Sequence, residues 1–192
     1  MKPKAIFTRY SDVIKKWLLT ISLLLAFNGC IVYQTVSYEV KLDTPGTGTA
    51  TITAYDMRTD AKSKKDLEQD KKNLFQYMLK SGQFISDQKE SGKNITGRKL
   101  FIEDDKLIGQ GTFKFDDVSA VEGIKYEDGF HYLTLGVDDS VVSTNGEIIR
   151  SKDYKRIMWD STFSELKFTM FSNDLRKSPY KSLAPYFDNK NN

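Results

Sequence analysis

A single cysteine, a single histidine and four prolines are spread over 192 residues. One thiol can form no disulfide within the chain, so no covalent staple holds the fold. One histidine and one cysteine cannot complete the four-ligand sets that hold structural zinc. No apolar stretch reaches the roughly 20 residues that a membrane-spanning helix needs. The longest, Trp17 to Phe27, has 11 residues and is interrupted by Thr20 and Ser22. As a helix rising about 1.5 Å per residue it reaches roughly 16 Å, about half a hydrocarbon core. An excess of one charge is missing too. The chain has 29 basic and 26 acidic residues, and residues 1–29 hold five of the former and one of the latter. From residue 30 onward 24 basic residues face 25 acidic ones. That balance offers nothing to a phosphate backbone, and nucleic acid is not an expected partner.

What the start of the chain does have is order. Lys2, Lys4, Arg9, Lys15 and Lys16 precede the apolar run, opposed only by Asp12. A basic start, a short apolar run and a small residue before the cut are the three parts of a secretory signal. The run ends Ala26-Phe27-Asn28-Gly29-Cys30, which resembles the lipobox of bacterial lipoproteins. Phe27 and Asn28 stand where aliphatic and small residues are commoner. The resemblance implies cleavage between Gly29 and Cys30, removal of residues 1–29, and diacylglycerol with palmitate-like chains on the Cys30 sulfur. The partner so implied is a lipid bilayer, reached through acylated Cys30, in the cell envelope and facing away from the cytoplasm. Ile31 follows where an aspartate retains many lipoproteins at the inner membrane. A host with two membranes is therefore expected to carry the protein on the outer one.

Beyond Cys30, Val36, Tyr38, Val40 and Leu42 alternate with polar residues, the period of a half-buried strand. "TPGTG" supplies a turn and "TATITAYDM" a second strand, together a hairpin. Leu67, Leu74, Phe75, Met78 and Leu79 recur at helical spacing, predicting one amphipathic helix over about 62–81 with Gly82 as its C-terminal cap. From Phe84 onward the chain reads as strands: "KLFIED", "GTFKFDDV", "FHYLTLGV", "EIIR", "KRIMWD" and "ELKFTMF". Turns are expected at Asp104-Asp105, Gly109-Gln110-Gly111, Asp128-Gly129 and Asn145-Gly146. The last is the strongest hairpin signal, set between "SVVST" and "EIIR". "DDVSAVEGI" fits one helical turn or a strand connection. The expected class is α+β, an antiparallel sheet of short strands with one helix on one face, in a single domain over 30–176. Residues 177–192 read as a short helix from Pro179 and a polar, disordered tail.

The order strand, glycine turn, strand ("KLDTPGTGTATI"), helix, then "IMWDSTFSELKFTM" resembles the LppM-like domain of bacterial lipoproteins over residues 35–171. That resemblance implies lipid or glycolipid binding. Members often end in a transmembrane helix, and no second apolar span occurs here.

Little in the chain points to catalysis. His131 lies inside the strand-like "FHYLTL" between Phe130 and Tyr132, and no Ser-His-Asp set can be placed by spacing. Asp104-Asp105, Asp116-Asp117 and Asp138-Asp139 could serve a cation or a glycosidase. All three fall at expected turns or strand ends, and none has the spacing of a calcium loop. "SGKNITG" lacks the glycine loop leading into a helix that phosphate binding needs. The first functional reading is a noncatalytic envelope lipoprotein, an interaction or structural module with no cofactor and no metal. Its partners would be envelope proteins or lipids. The alternative is a lipid or apolar-ligand binder with a cavity between helix and sheet, lined by Phe75, Met78, Phe113, Phe115, Leu133, Leu135 and Met170. A carboxylate-dependent hydrolase ranks third.

Overall fold

A computed structural model describes residues 31–44, 46–172, 175 and 179–187. The signal-like segment and Cys30 lie outside the described residues. Thirteen strands are described: β1 (Ile31–Val32), β2 (Thr35–Thr44), β3 (Thr47–Tyr55), β4 (Arg58–Thr59), β5 (Asn94–Glu103), β6 (Lys106–Phe115), β7 (Lys125–Glu127), β8 (Phe130–Leu135), β9 (Ser140–Thr144), β10 (Glu147–Arg150), β11 (Lys155–Asp160), β12 (Glu165–Phe171) and β13 (Lys181–Ser182). They form three antiparallel sheets: a six-stranded one in the order β5-β6-β3-β2-β12-β9, a four-stranded one in the order β10-β11-β8-β7, and a small one, β1-β4-β13. Strands hold 50% of the residues and helical segments 22%, which overturns the expected α+β class with a single helix on one sheet. The molecule is mainly β, and sheet packs on sheet.

Period two explains how that packing is built. In β3, Ala50, Ile52 and Ala54 share a face, and with them go Val36, Tyr38 and Val40 of β2. Facing them are Leu133 of β8 and Ile157 and Trp159 of β11, so the four-stranded sheet closes a first core. Phe113, Phe115, Leu166 and Phe168 complete it from the six-stranded side. Further along the same face Ala54 enters a second core, with Met57, Leu74, Leu100, Leu107 and Leu183. Gly109 belongs to that second core. A Cβ there would meet the Met57 sulfur at 2.8 Å, so only glycine lets Met57 lie flat on β6. The Gly109-Gln110-Gly111 turn is thus corrected to strand interior, paired with Ala54, Thr53 and Ile52 of β3. The opposite face of the sheet is polar. Hydroxyl hydrogen bonds join Ser37 to Thr169 at 2.8 Å and Thr51 to Thr112 at 3.2 Å across neighbouring strands.

The helical part also departs from expectation. Helix α1 (Lys64–Lys72) starts at Ser63, whose hydroxyl accepts from Asp66 N, and runs into a π-helical turn over Asn73–Met78. Gly82 is no cap. Ser81, extended at ψ 134°, ends the first stretch and caps a second helix, α2 (Gly82–Glu90), by accepting from Gln83 N at 3.0 Å. Arg98 of β5 donates to Met78 O at 3.0 Å and to Ser81 O at 2.8 Å, satisfying carbonyls that the break leaves open. The Tyr77 hydroxyl donates to Asp87, tying the two helices together. That bond and burial raise the Tyr77 phenol to about 12.

Asn145-Gly146 is corrected as well. It joins β9 to β10, but β9 pairs with β12 and β10 with β11, in different sheets. The pair forms a corner, not a hairpin. The side-chain oxygen of Asn145 accepts from Trp159 Nε1 at 2.8 Å and Lys167 N at 2.7 Å, while its Nδ2 donates to Glu165 O at 2.8 Å. Turns where the expected hairpins do form carry positive φ: 48° and 59° at Asp104-Asp105, 51° and 81° at Asp128-Gly129. Those are the values a two-residue turn needs to match strand twist. At the other end, β13 pairs with β4 and Leu183 is fully buried, so residues 181–187 belong to the second core and its rim.

Candidate functional site

Among the described residues a cleft lies between the two large sheets, at the end where β2 and β12 run past β8. Its volume is about 390 Å³, within the range of small-ligand sites. Alternation brings Val36 and Tyr38 of β2, Phe168 and Met170 of β12, and Leu133 and Leu135 of β8 to its walls. Phe168 stacks on Tyr38 with ring centres 4.4 Å apart and planes 9° from parallel. The floor is therefore apolar and aromatic.

The rim is polar. Tyr33 follows β1, and Ser172 N donates to Gln34 O at 2.9 Å, which holds the end of β12 beside Tyr33. Glu122 comes from the loop after a 3₁₀ turn (Val118–Ala120), with φ at 52°, uncommon outside glycine. Gly123 N bonding Ser119 O and Ile124 N bonding Val121 O, both at 3.0 Å, keep it there. Asp139 precedes β9, and its Oδ2 accepts from Gly136 N at 2.6 Å. The Tyr38 phenol is pushed far above its ordinary value, first by burial and then by the charge of nearby Glu122. Burial and the same carboxylate raise Tyr33, against a bond with Ser172 that lowers it. Both phenols stay protonated. The cleft accordingly presents carboxylate oxygens and ring faces over an aliphatic floor.

Of the seven expected cavity residues, the structure brings three together here: Leu133, Leu135 and Met170. Phe113 and Phe115 lie 2% and 1% exposed in the closed first core. Phe75 and Met78 pack on the second core, away from the cleft. The cavity between helix and sheet is corrected to a cleft between sheets, because Leu74 and its neighbours fill the helix–sheet interface. Tyr33, Tyr38, Glu122 and Asp139 were missed as lining residues. Only Tyr38 carried a usable signal, its place in the inward period of β2.

The other candidates for chemistry sit apart. His131 is 2% exposed on the inward face of β8, against the Tyr126 ring at 4.6 Å. Neither ring nitrogen has a hydrogen-bond partner, and burial holds its pKa below the usual value, so it is neutral. No serine or carboxylate orients it. Asp104 and Asp105 occupy the β5–β6 turn, and Asp117 Oδ1 accepts from Ser119 N at 2.8 Å. Among the described residues no three histidine, cysteine or acidic side chains are grouped to share a metal ion. No protein-family model, curated protein or solved structure matches the chain.

Proposed function

We propose that the chain is an envelope lipoprotein whose acylated Cys30 holds a noncatalytic β-sandwich domain at a membrane surface, the outer membrane in a host with two. The observation that carries this reading is the run from Lys15 to Cys30, basic then apolar then Gly29-Cys30, ending one residue before the first strand. β1 begins at Ile31 and pairs with β4, which supports an anchor joined to the sheet without a tether. At about 3.3 Å per residue the domain then rides directly on the headgroups. Two or more acyl chains, at about 0.8 kcal/mol per buried methylene, suffice for stable anchoring. Among the described residues no helix is long and apolar enough to cross a membrane.

The test is expression of the full chain in a bacterium with detergent-phase partitioning and mass analysis of the N-terminal peptide. Wild-type protein is expected in the detergent phase, beginning at Cys30 with the mass of attached acyl chains. The Cys30→Ala variant should be unacylated and remain uncleaved. A wild-type chain that still begins at Met1 with a free thiol overturns the reading.

A second reading concerns what the domain does there. The cleft between the sheets favours binding of an apolar group, because Leu135 and Met170 are half-buried in its lining, over the buried Val36 and Leu133. It replaces the helix–sheet cavity as the place where an apolar ligand is expected.

A further inference from the structure

We infer that the cleft selects an apolar ligand carrying an organic cation, such as a substituted ammonium, over carboxylate or phosphate amphiphiles; the inference rests on the second reading above. Among the described residues two of the lining side chains are acids, Glu122 and Asp139, and none is lysine, arginine or histidine. An anionic head entering there would meet like charge in partly desolvated surroundings. Lys155 and Arg156 bond other atoms of the lining residues, and neither pairs with the Glu122 or Asp139 carboxylate. Lys155 Nζ donates to the backbone oxygen of Asp139 at 2.5 Å. Arg156 donates to the Thr134 hydroxyl at 3.1 Å and lies over the rings of Tyr132 and Tyr154, 4.9 and 4.7 Å from their centres.

Aromatic rings supply the second half of the argument. A cation near the face of Tyr or Phe is attracted by the ring quadrupole, more strongly where water is reduced. Tyr33 and Phe171, both partly exposed, line this cleft beside the buried stack of Tyr38 on Phe168. Because the Tyr38 phenol stays protonated, it adds no negative charge beside Glu122. Aliphatic floor, ring walls and a two-carboxylate rim match the three parts of an alkyl- or arylammonium ion.

Three probes that share one ring and differ in the head test this: benzyltrimethylammonium, benzyl alcohol and phenylacetate. Each is titrated into the purified full chain in a neutral detergent and followed by saturation-transfer NMR. The cation is expected to bind about tenfold more tightly than phenylacetate. Glu122→Gln, which removes the charge and keeps the size, should bring that ratio to within about threefold while leaving benzyl alcohol unchanged. Met170→Trp, which fills the floor, should abolish binding of all three. Equal binding of the probes, or a preference for phenylacetate, overturns the charge selection and leaves the apolar cleft standing. No binding by any probe overturns both. Cation binding that survives Met170→Trp places it elsewhere and overturns the inference.

Discussion

Asp70 is fully buried on α1 with one hydrogen bond, from the Thr59 hydroxyl, and its Oδ1 has no partner. Thr59, itself fully buried, also accepts from Ala61 N at 2.9 Å, so its hydroxyl is used in both directions. Burial raises the Asp70 pKa, more than the Thr59 bond lowers it, and the charges of Asp60 and Asp66 add to the rise. The sign for stability follows. A carboxyl raised on folding is most compatible with the fold below its unfolded pKa, and that compatibility is lost as pH rises through the folded value. Asp70→Asn removes the charge and keeps an acceptor for Thr59. Denaturant unfolding should show the variant gaining on wild type between pH 4 and pH 7, by about 1 kcal/mol at the upper end, on the scale of one unsatisfied buried acceptor. A difference that does not change with pH would mean that Asp70 does not titrate in this window.

Between elements, the corner at Asn145-Gly146 shows how a local signal acquires a different use. A Cβ on Gly146 would lie 2.6 Å from Trp159 Nε1 and 2.7 Å from Met158 O. Glycine is needed here for close approach of the corner to β11. Asn145→Ala strips the acceptor from the indole of Trp159, which is 1% exposed, and frees Lys167 N and Glu165 O. The expected cost is about 1–3 kcal/mol, the range for a buried donor left unpaired. Trp159 is the only tryptophan from Cys30 onward, so its fluorescence reports directly; an unchanged spectrum and unfolding midpoint would contradict this role. The same corner marks where the sequence stops being legible. Alternation identified β2 because one of its faces is buried, and hairpin turns at Asp104-Asp105 and Asp128-Gly129 were readable from residues that tolerate positive φ. Asn145-Gly146 carries the same chemistry, yet its flanking strands find partners from far along the chain. The cleft suffered likewise. Leu133, Leu135 and Met170 were readable as inward-facing, but Glu122 and Asp139 come from connecting segments without a strand period, and Asp139 is placed by the pairing of β9 with the distant β12. Phe75 and Met78 went astray because the helix serves a separate core.

At the scale of the whole molecule, the two ends of the described chain meet on one two-residue strand. Thr59 pairs with Ile31 on one side and Lys181 on the other, and Arg58 with Val32 and Ser182. A strand this short has little stability of its own, so the small sheet depends on the core beneath it. Leu183, next after β13, supplies that support: it is fully buried among Met57, Leu74, Leu100 and Leu107, and its N–H donates to Met57 O at 3.3 Å. Leu183→Ala removes most of this side chain from a filled site and should cost about 2–5 kcal/mol. Because β1, β4 and β13 share their hydrogen bonds, the loss should not stay at the C-terminal end. Hydrogen exchange is expected to show the protected amides of Ile31–Val32 and Arg58–Thr59 loosening together with those near Leu183, while the β8–β11 pairing keeps its protection. Exchange confined to residues 181–187 would show that the N-terminal strand is held independently. The distinction bears on the proposed anchor, since Ile31 is where any load from Cys30 enters the fold. A domain gripped there by β4 and, through it, by the C-terminal strand transmits that load to its second core instead of unravelling from the end.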